Sequence, residues 1–109
     1  MKILIISQYF WPENFRVNEL SEELTKLGHD ITVLTGYPNY PKGEIFEDFL
    51  NKRNSFREYK GVKIIRVPII PRKKGRFKLV INYLSFVINS ILIGYFKVYN
   101  KNYDLYIKN

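Results

Sequence analysis

The chain contains no cysteine, and it has only one histidine and one tryptophan among its 109 residues. Without cysteine it can form neither disulfide bonds nor thiolate metal sites, which agrees with a reducing cytoplasm. No group of His, Asp and Glu residues has the spacing of metal ligands. His29 follows a helix-ending glycine at the amino end of a strand, which indicates a packing role rather than catalysis. The sequence therefore offers no thiol chemistry and no recognisable metal site.

Acidic residues are also scarce, because 10 Asp and Glu face 18 Lys and Arg, for a net charge of +8. An excess of positive charge often belongs to solvated surface. The functional alternatives are that it attracts an anionic membrane face or a phosphorylated ligand. Nucleic acid is disfavoured as a partner, since no helix-turn-helix, RNP-like motif or zinc finger is present. One basic cluster stands out, formed by Arg72, Lys73, Lys74, Arg76 and Lys78.

The length suits a single domain, residues 1–109, and the 46% hydrophobic content is that of a globular protein. The apolar run Ile3–Ile6 directly follows the start of the chain, so we expect a buried parallel strand there and not a secretion signal. A helix with Asn14 as a possible cap and Gly28 as its left-handed end should follow. Ile31–Leu34 then reads as the second strand of a right-handed crossover. The helix is predicted from apolar residues at helical spacing: Val17, Leu20, Leu24 and Leu27.

The second half of the chain continues the same alternation. Glu44–Lys52 reads as a short helix, and Ser55–Tyr59 with Val62–Pro68 reads as a hairpin or as a loop entering a third strand. Phe77 to Asn100 is predicted to form a long apolar helix, and Tyr103–Lys108 a further strand. The pattern predicts an α/β fold with a parallel sheet and flanking helices.

The long helix has two possible environments. Leu79 to Phe96 contains no charged residue, which is long enough for a membrane span. Asn82, Ser85 and Asn89, however, share one face at helical spacing, and lipid disfavours such a polar stripe. We therefore expect a helix packed on the sheet, with its other side against a second domain or a lipid surface.

Two loops carry the residues that could bind a ligand, and each follows the carboxyl end of a strand. In residues 8–16, QYFWPENFR, Trp11 or Phe10 could stack on a sugar ring, Glu13 could accept hydrogen bonds from hydroxyls, and Arg16 could bind a phosphate. The alternative is that Phe10 and Phe15 are core anchors and Glu13 with Arg16 is a surface pair. No glycine occurs between Ser7 and Arg16, which argues against a dinucleotide cradle.

The second loop, residues 36–43 (GYPNYPKG), contains two prolines that stiffen it. Stiffness lowers the entropic cost of presenting Tyr37, Asn39 and Tyr40 to a ligand. A plain surface loop is the alternative, because Tyr-Pro pairs are common there. The residues by themselves indicate a ligand-binding crevice in an α/β sheet and no complete catalytic set.

The segments KILIISQYFWPENFRVNELSEEL, TKLGHDITVLTGYPNYPKG and GVKIIRVPI resemble the start of family-four glycosyltransferases of the GT-B fold. The YFWPE and YPNYPKG loops resemble the subgroup of N-acetyl-aminosugar transferases that builds bacterial O-antigen and capsule polysaccharide. The resemblance covers essentially the whole chain.

The resemblance implies the Rossmann-like N-terminal, acceptor-side half of such an enzyme, with the donor domain and its glutamate pair lying beyond Asn109. The implied reaction transfers a sugar from a nucleotide-sugar to a polyprenyl-linked acceptor with retention, typically without a metal or other cofactor. By this resemblance, the first loop would face the interdomain cleft with Trp11, Pro12, Glu13, Asn14 and Arg16. The second loop would line the cleft with residues 37–43, including Tyr37, Asn39, Tyr40 and Lys42.

The resemblance also implies a location in the cytoplasm at the inner face of the membrane, which Arg72–Lys78 and the long helix would contact. One departure concerns the first loop, where many family members have a Gly-Gly pair and this chain has bulky residues. As a separate chain of 109 residues we expect no transferase activity. Two other hypotheses remain open: a non-catalytic module that docks on a separate donor-domain protein, and a small protein anchored by a span at Leu79–Phe96.

Overall fold

The computed structural model describes residues 1–40, 43–71, 76–99 and 101–109. Within these ranges the chain forms a mixed α/β fold with one five-stranded sheet. The strands are β1 (Lys2–Ile6), β2 (Asp30–Gly36), β3 (Glu58–Tyr59), β4 (Val62–Val67) and β5 (Leu105–Lys108). The helices are α1 (Arg16–Lys26), α2 (Glu47–Asn51), α3 (Arg76–Asn89) and α4 (Tyr95–Val98). A 3₁₀ turn at Arg53–Phe56 precedes β3, and a π-helical turn at Ser90–Gly94 joins α3 to α4.

The sheet order is β3-β4-β2-β1-β5, and every pairing is parallel except that of the short strand β3. Chain order runs outward from β1 through β2 to β4, and the chain then returns to add β5 on the other side of β1. The order of the strands thus reverses beside β1. In open α/β sheets, a crevice at the carboxyl end of the strands forms at such a reversal.

Both faces of the sheet are covered, as the apolar run in β1 predicts. On one face Ile3 and Ile5 pack with residues of β2, β4 and α1, and on the other Leu4 packs with Leu34 and Phe86 of α3. Side chains alternate across a strand, so a strand buried on both faces must be apolar throughout. The predicted α/β class with a mostly parallel sheet is confirmed.

Helix α1 ends as predicted but is oriented differently. Gly28 has φ of +94°, and the N–H groups of Gly28 and His29 donate to the carbonyls of Thr25 and Leu24 in a Schellman motif. The predicted apolar stripe is partly wrong, because Leu20 and Leu27 are exposed. The buried residues of the helix are Val17 and two small polar residues, Asn18 and Ser21.

The predicted cap of α1 is also wrong. Phe15 is the N-cap residue and its side chain makes no capping hydrogen bond, while Asn14 is exposed. The N–H of Asn18 donates to the carbonyl of Phe15, and its side-chain amide donates 2.7 Å to the carbonyl of Glu13. Asn18 therefore ties the start of the helix to the loop before it.

Of the two interpretations of residues 55–68, the structure shows the hairpin, but its first strand is shorter than predicted because Ser55 and Phe56 belong to the 3₁₀ turn. Strands β3 and β4 pair antiparallel across Lys60 and Gly61, whose φ values of +48° and +86° are those of a primed turn. Only two residues of β3 pair. The carboxyl half of β4 is therefore paired only with β2, and α2 with the 3₁₀ turn lies near its outer edge.

The predicted long helix runs from Arg76 to Val98 as α3, the π-helical turn and α4. Its polar stripe faces the protein: the amide of Asn82 donates 2.7 Å to the carbonyl of Ile70, and Ser85 accepts from the N–H of Ile70 at 2.9 Å. Asn89 donates to the carbonyl of Pro68. These bonds satisfy backbone groups of the segment after β4, where no sheet pairing is available.

The opposite side of this helix exposes a long apolar surface. Among the described residues, Phe77–Val98 is the one helix that is long and apolar enough to cross a membrane, with mean hydropathy 1.8 and 22% of its most apolar window buried. Length and composition alone do not distinguish a span from a helix that lies against another surface. We call the exposed side the apolar helix face; its members include Phe77, Leu84, Ile88, Ile91, Leu92, Tyr95, Phe96 and Tyr99.

Changing the fully buried Asn82 to Leu should destabilise the fold by about 2 kcal/mol, because the carbonyl of Ile70 and the amide of Gln8 would each lose a hydrogen bond. Urea denaturation followed by circular dichroism measures the loss. The matched control is the opposite exchange on the exposed side, Leu84→Asn, for which about 0.5 kcal/mol or less is expected. Equal losses in both variants would show that the polar stripe does not hold the helix on the sheet.

Candidate functional site

Two loops meet at the carboxyl edge of the sheet. The first loop, residues 8–15, follows β1, and the second loop, residues 36–43, begins at the end of β2. Of the second loop, residues 41 and 42 lie outside the described part of the chain, and the predicted ligand contact Lys42 is one of them. The strands are neighbours and parallel, so their carboxyl ends place both loops on one side of the sheet.

Glu13 joins the two loops. Its side chain is 1% exposed, and its Oε2 accepts hydrogen bonds from the backbone N–H groups of Asn39 at 2.9 Å and Tyr40 at 2.8 Å. Its Oε1 accepts a longer bond, 3.3 Å, from the N–H of Phe10. The carboxylate thus binds backbone amides of both loops, whereas the sequence predicted that it would accept from ligand hydroxyls. The alternative of a surface pair with Arg16 is wrong, because Glu13 is buried.

Burial dominates the electrostatics of this carboxyl group. Removal from water raises the pKa of Glu13 to about 7, and the three backbone N–H groups and the charge of Arg66 oppose that rise. A perturbed carboxyl group at the carboxyl edge of a parallel sheet is a feature of functional sites. Here it lies behind the loops and determines their position.

Arg66, in β4, connects the same loops from the other side. Its guanidinium group donates to the carbonyl of Trp11 in the first loop, to that of Gly36 at 3.4 Å, and to that of Phe56 at 3.1 Å. Burial lowers its pKa to about 10, although the charge of Glu13 acts in the opposite direction. Sequence reasoning missed Arg66. The available signal was a charged residue inside the apolar strand Val62–Val67.

Trp11 is half-buried and packs against aromatic rings rather than projecting from the loop. Its ring centroid lies 5.0 Å from that of Tyr59 in a stacked arrangement and 5.2 Å from that of Phe56. Phe10 is fully buried in the core, as the core-anchor alternative predicted. In this structure the role of Trp11 is to fix the first loop to β3 and to the 3₁₀ turn.

The aromatic residues of the second loop are also packed. Tyr40 lies 4.9 Å from Phe15 and 5.6 Å from Tyr9, measured between ring centroids. Tyr37 lies 4.9 Å from Phe49 of α2. Both tyrosines are half-buried, so each leaves part of its surface at the edge of the site.

A network of side-chain amides lies beneath the loops and includes the long helix. The Oδ1 of Asn82 accepts from the amide of Gln8 at 2.8 Å and from the hydroxyl of Tyr9 at 3.2 Å. Its amide group lies 3.4 Å from the Oδ1 of Asn39, which is itself fully buried. Asn39, predicted to contact a ligand, is thus part of the interior. Helix α3 is connected through Asn82 to both loops.

Asn14 and Arg16 differ from the other predicted contacts, because both are exposed. They lie at the start of α1, where free backbone N–H groups and the positive end of the helix dipole favour anionic or hydroxyl-bearing ligands. The structure therefore divides the predicted set. Asn14 and Arg16 are open to a ligand, Tyr37 and Tyr40 are partly open, and Trp11, Glu13 and Asn39 support the loops.

An apolar groove of about 520 Å³ opens beside the first loop, on the face of the sheet that α3 covers. Leu4 and Leu34 form its floor, and Phe86, Ile91 and Tyr95 form its wall. Gln8 lies at its polar end. Among the described residues, no group of three or more His, Asp or Glu residues could hold a metal ion.

In comparisons with protein-family models, with curated proteins and with solved structures, none matched this chain.

The raised pKa of Glu13 predicts a specific pH dependence of stability. A carboxyl group whose pKa rises from 4.5 to about 7 on folding stabilises the fold fully below pH 4.5, and this contribution is lost as the pH rises towards 7. The loss amounts to about 3 kcal/mol, at about 1.4 kcal/mol per pKa unit. Glu13→Gln cannot ionise, so its stability relative to the wild type should increase by that amount between pH 4.5 and 8.

Urea denaturation of the wild type and of Glu13→Gln at several pH values measures the difference between their free energies of unfolding. Groups that titrate alike in both proteins do not contribute to this difference. A stability difference that stays constant across the range would contradict the assignment of a buried, protonatable Glu13.

Proposed function

We propose that this chain is the N-terminal, acceptor-side part of a retaining glycosyltransferase of the GT-B fold. The reaction would move a sugar from a nucleotide-sugar to a lipid-linked acceptor in the synthesis of surface polysaccharide. The observation that carries the proposal is that the two motif-bearing loops are held together beside β1, at the carboxyl edge of a parallel sheet, by Glu13.

The strand order supports a Rossmann-like fold for this part. The four parallel strands lie in the order β4-β2-β1-β5, which is the third, second, first and fourth in chain order. That order is the central part of a Rossmann sheet, which binds its ligand where the strand order reverses. The first loop follows β1 at that place, the second loop follows the neighbouring strand β2, and β3 is an antiparallel addition at the edge.

In this proposal the motif residues have two roles, according to whether they are packed or exposed. Glu13, Trp11 and Asn39 position the loops, while the exposed Asn14 and Arg16 contact the sugar or phosphate of the acceptor. We assign no catalytic residue to this chain. Donor binding belongs to a second α/β domain, and the acceptor site described here would close against it.

The apolar helix face supports contact with the inner face of the cell membrane, where a polyprenyl-linked acceptor would be found. Tyr95, Phe96 and Tyr99 form an exposed aromatic cluster with ring centroids 5.8 to 6.4 Å apart. Aromatic rings beside cations are typical of surfaces at the membrane interface, and Lys78 and Lys97 are exposed on the same helix. Of the predicted basic cluster, Arg72, Lys73 and Lys74 lie outside the described residues, and for Arg76 only the backbone is described.

Interfacial contact fits the helix better than a span does. Asn82, Ser85 and Asn89 hydrogen-bond to the segment after β4 or to the first loop, and a span at Leu79–Phe96 would have to break these bonds. The same apolar face also suits the second candidate function, a non-catalytic module that docks on a separate donor-domain protein. That candidate predicts concentration-dependent association with the partner and no sugar transfer.

Transfer of a radiolabelled sugar tests the main proposal. The assay uses the gene product that carries this sequence together with the proposed donor domain, a panel of nucleotide-sugars and membranes that contain lipid-linked acceptor. Label should appear in the lipid fraction, and Asn14→Ala and Arg16→Ala should each lower the rate about tenfold, the effect of one lost charge-assisted hydrogen bond.

Leu20→Ala is the control for this assay. Leu20 is exposed on α1, the helix that begins at Arg16, and its substitution should leave the rate unchanged. Absence of labelled lipid with every nucleotide-sugar would refute the proposed activity. Unchanged rates in both loop variants would refute the role given to the first loop.

Membrane contact is tested by sedimentation of the protein with phosphatidylglycerol vesicles. Phe96→Ala should weaken binding about tenfold, because it removes a large apolar side chain from the interface. The control Leu50→Ala, exposed on α2, should bind as the wild type does. Alkaline carbonate should release the bound protein; retention in the pellet would replace interfacial contact with a span.

A further inference from the structure

A second cavity, of about 260 Å³, opens at the carboxyl half of β4, where β3 has ended. We call it the Arg53 pocket. Asn14 and Arg16, the ligand contacts proposed above, do not line it, whereas Tyr37 of the second loop does. Four cationic side chains and three aromatic rings line it, together with Ile64 and Ile65: Arg53, Arg57, Arg66, Lys97, Tyr37, Phe49 and Phe56.

The charge of this pocket has one sign. No Asp or Glu is among its described lining residues. The ion pairs within the described ranges involve only Lys26 and Lys60 with Glu22 and Glu23, and no pocket cation is among them. The charge of Glu13 acts on Arg66 from outside the lining. Like charges held together in a partly buried place repel one another, and they favour the binding of an anion.

The geometry holds two guanidinium groups against the same ring. The Cζ of Arg53 lies 5.7 Å and that of Arg66 5.4 Å from the ring centroid of Phe49. Arg53 also lies 5.4 Å from the ring centroid of Tyr37. Contact with the aromatic faces stabilises these cations at the pocket, although no described carboxylate lines it.

The pocket has one buried cation, Arg66, and three exposed ones. Arg66 is 9% exposed, and it donates to three backbone carbonyls, which fix it as part of the wall. Arg53, Arg57 and Lys97 are exposed, and within the described residues none of them donates a hydrogen bond to a protein carboxylate. Guanidinium groups form forked hydrogen bonds to phosphate oxygens, and an ammonium group adds a point charge.

We propose that the Arg53 pocket binds the phosphate group of a phosphorylated ligand, which Arg53, Arg57 and Lys97 contact directly while Arg66 supplies a fixed charge in the wall. The inference does not depend on the proposed transferase activity, because it stands on the pocket alone. A bound phosphate group would also reduce the repulsion among the pocket cations, whose described lining contains no carboxylate.

Isothermal titration calorimetry of the protein with inorganic diphosphate at physiological ionic strength tests the proposal. We expect saturable binding of one diphosphate per chain. Arg53→Gln and Lys97→Gln should each weaken it about tenfold, since each removes a charge-assisted contact. Both side chains are exposed, so thermal denaturation should show that the variants fold as the wild type does.

Lys63→Gln is the matched control for Lys97→Gln, because Lys63 is an exposed lysine of β4 outside the pocket and its loss changes the net charge equally. Binding by Lys63→Gln should stay within twofold of the wild type. Equal weakening in the control and the pocket variants would overturn the proposal, since it would reduce the effect to the +8 net charge. Absence of saturable binding would overturn it as well.

The source of the phosphate group is tested with vesicles that contain phosphatidic acid. Loss of vesicle binding in Arg53→Gln would assign a lipid headgroup to the pocket. Vesicle binding that does not depend on Arg53, together with Arg53-dependent binding of diphosphate, would assign a soluble phosphate-bearing ligand.

Discussion

The hydrogen bonds of the Glu13 carboxylate to the backbone of the second loop are the constraint on which the site depends. The two loops are far apart in sequence, and each exposes backbone N–H groups that no sheet or helix satisfies. One buried carboxylate accepts from three of them, and Arg66 donates to carbonyls at the same place. A buried charge is costly, and these hydrogen bonds with the charge of Arg66 offset only part of that cost, because the pKa of Glu13 still rises to about 7.

Because of this constraint, the most distinctive motif residues are structural rather than exposed. Trp11, Glu13 and Asn39 are distinctive in sequence, yet they are buried or packed, so their substitution would disturb the loops before it altered any ligand contact. Asn14 and Arg16 are less conspicuous, and they are the ones that a ligand can reach. Experiments on ligand contact therefore belong on the exposed pair, and experiments on Glu13 report on the architecture of the site.

The long helix has two functions on opposite sides. Its polar stripe replaces missing sheet contacts for the segment after β4 and reaches the first loop through Asn82. Its apolar face remains uncovered. The same helix therefore contacts both loops on one side, through Asn82, and exposes apolar surface on the other.

The sequence alone determined the α/β class, the order of most elements, the break at Lys60–Gly61, the left-handed Gly28 and the polar stripe of Asn82, Ser85 and Asn89. These follow from local signals, namely apolar periodicity, turn residues and helical spacing. Only the tertiary structure decided that Glu13 lies inside, that Arg66 is its counterpart, that Leu20 and Leu27 face solvent, and that Arg53 lines a pocket. Each of these depends on which distant backbone groups and side chains come together, and that information is contained in the packing rather than in any local pattern.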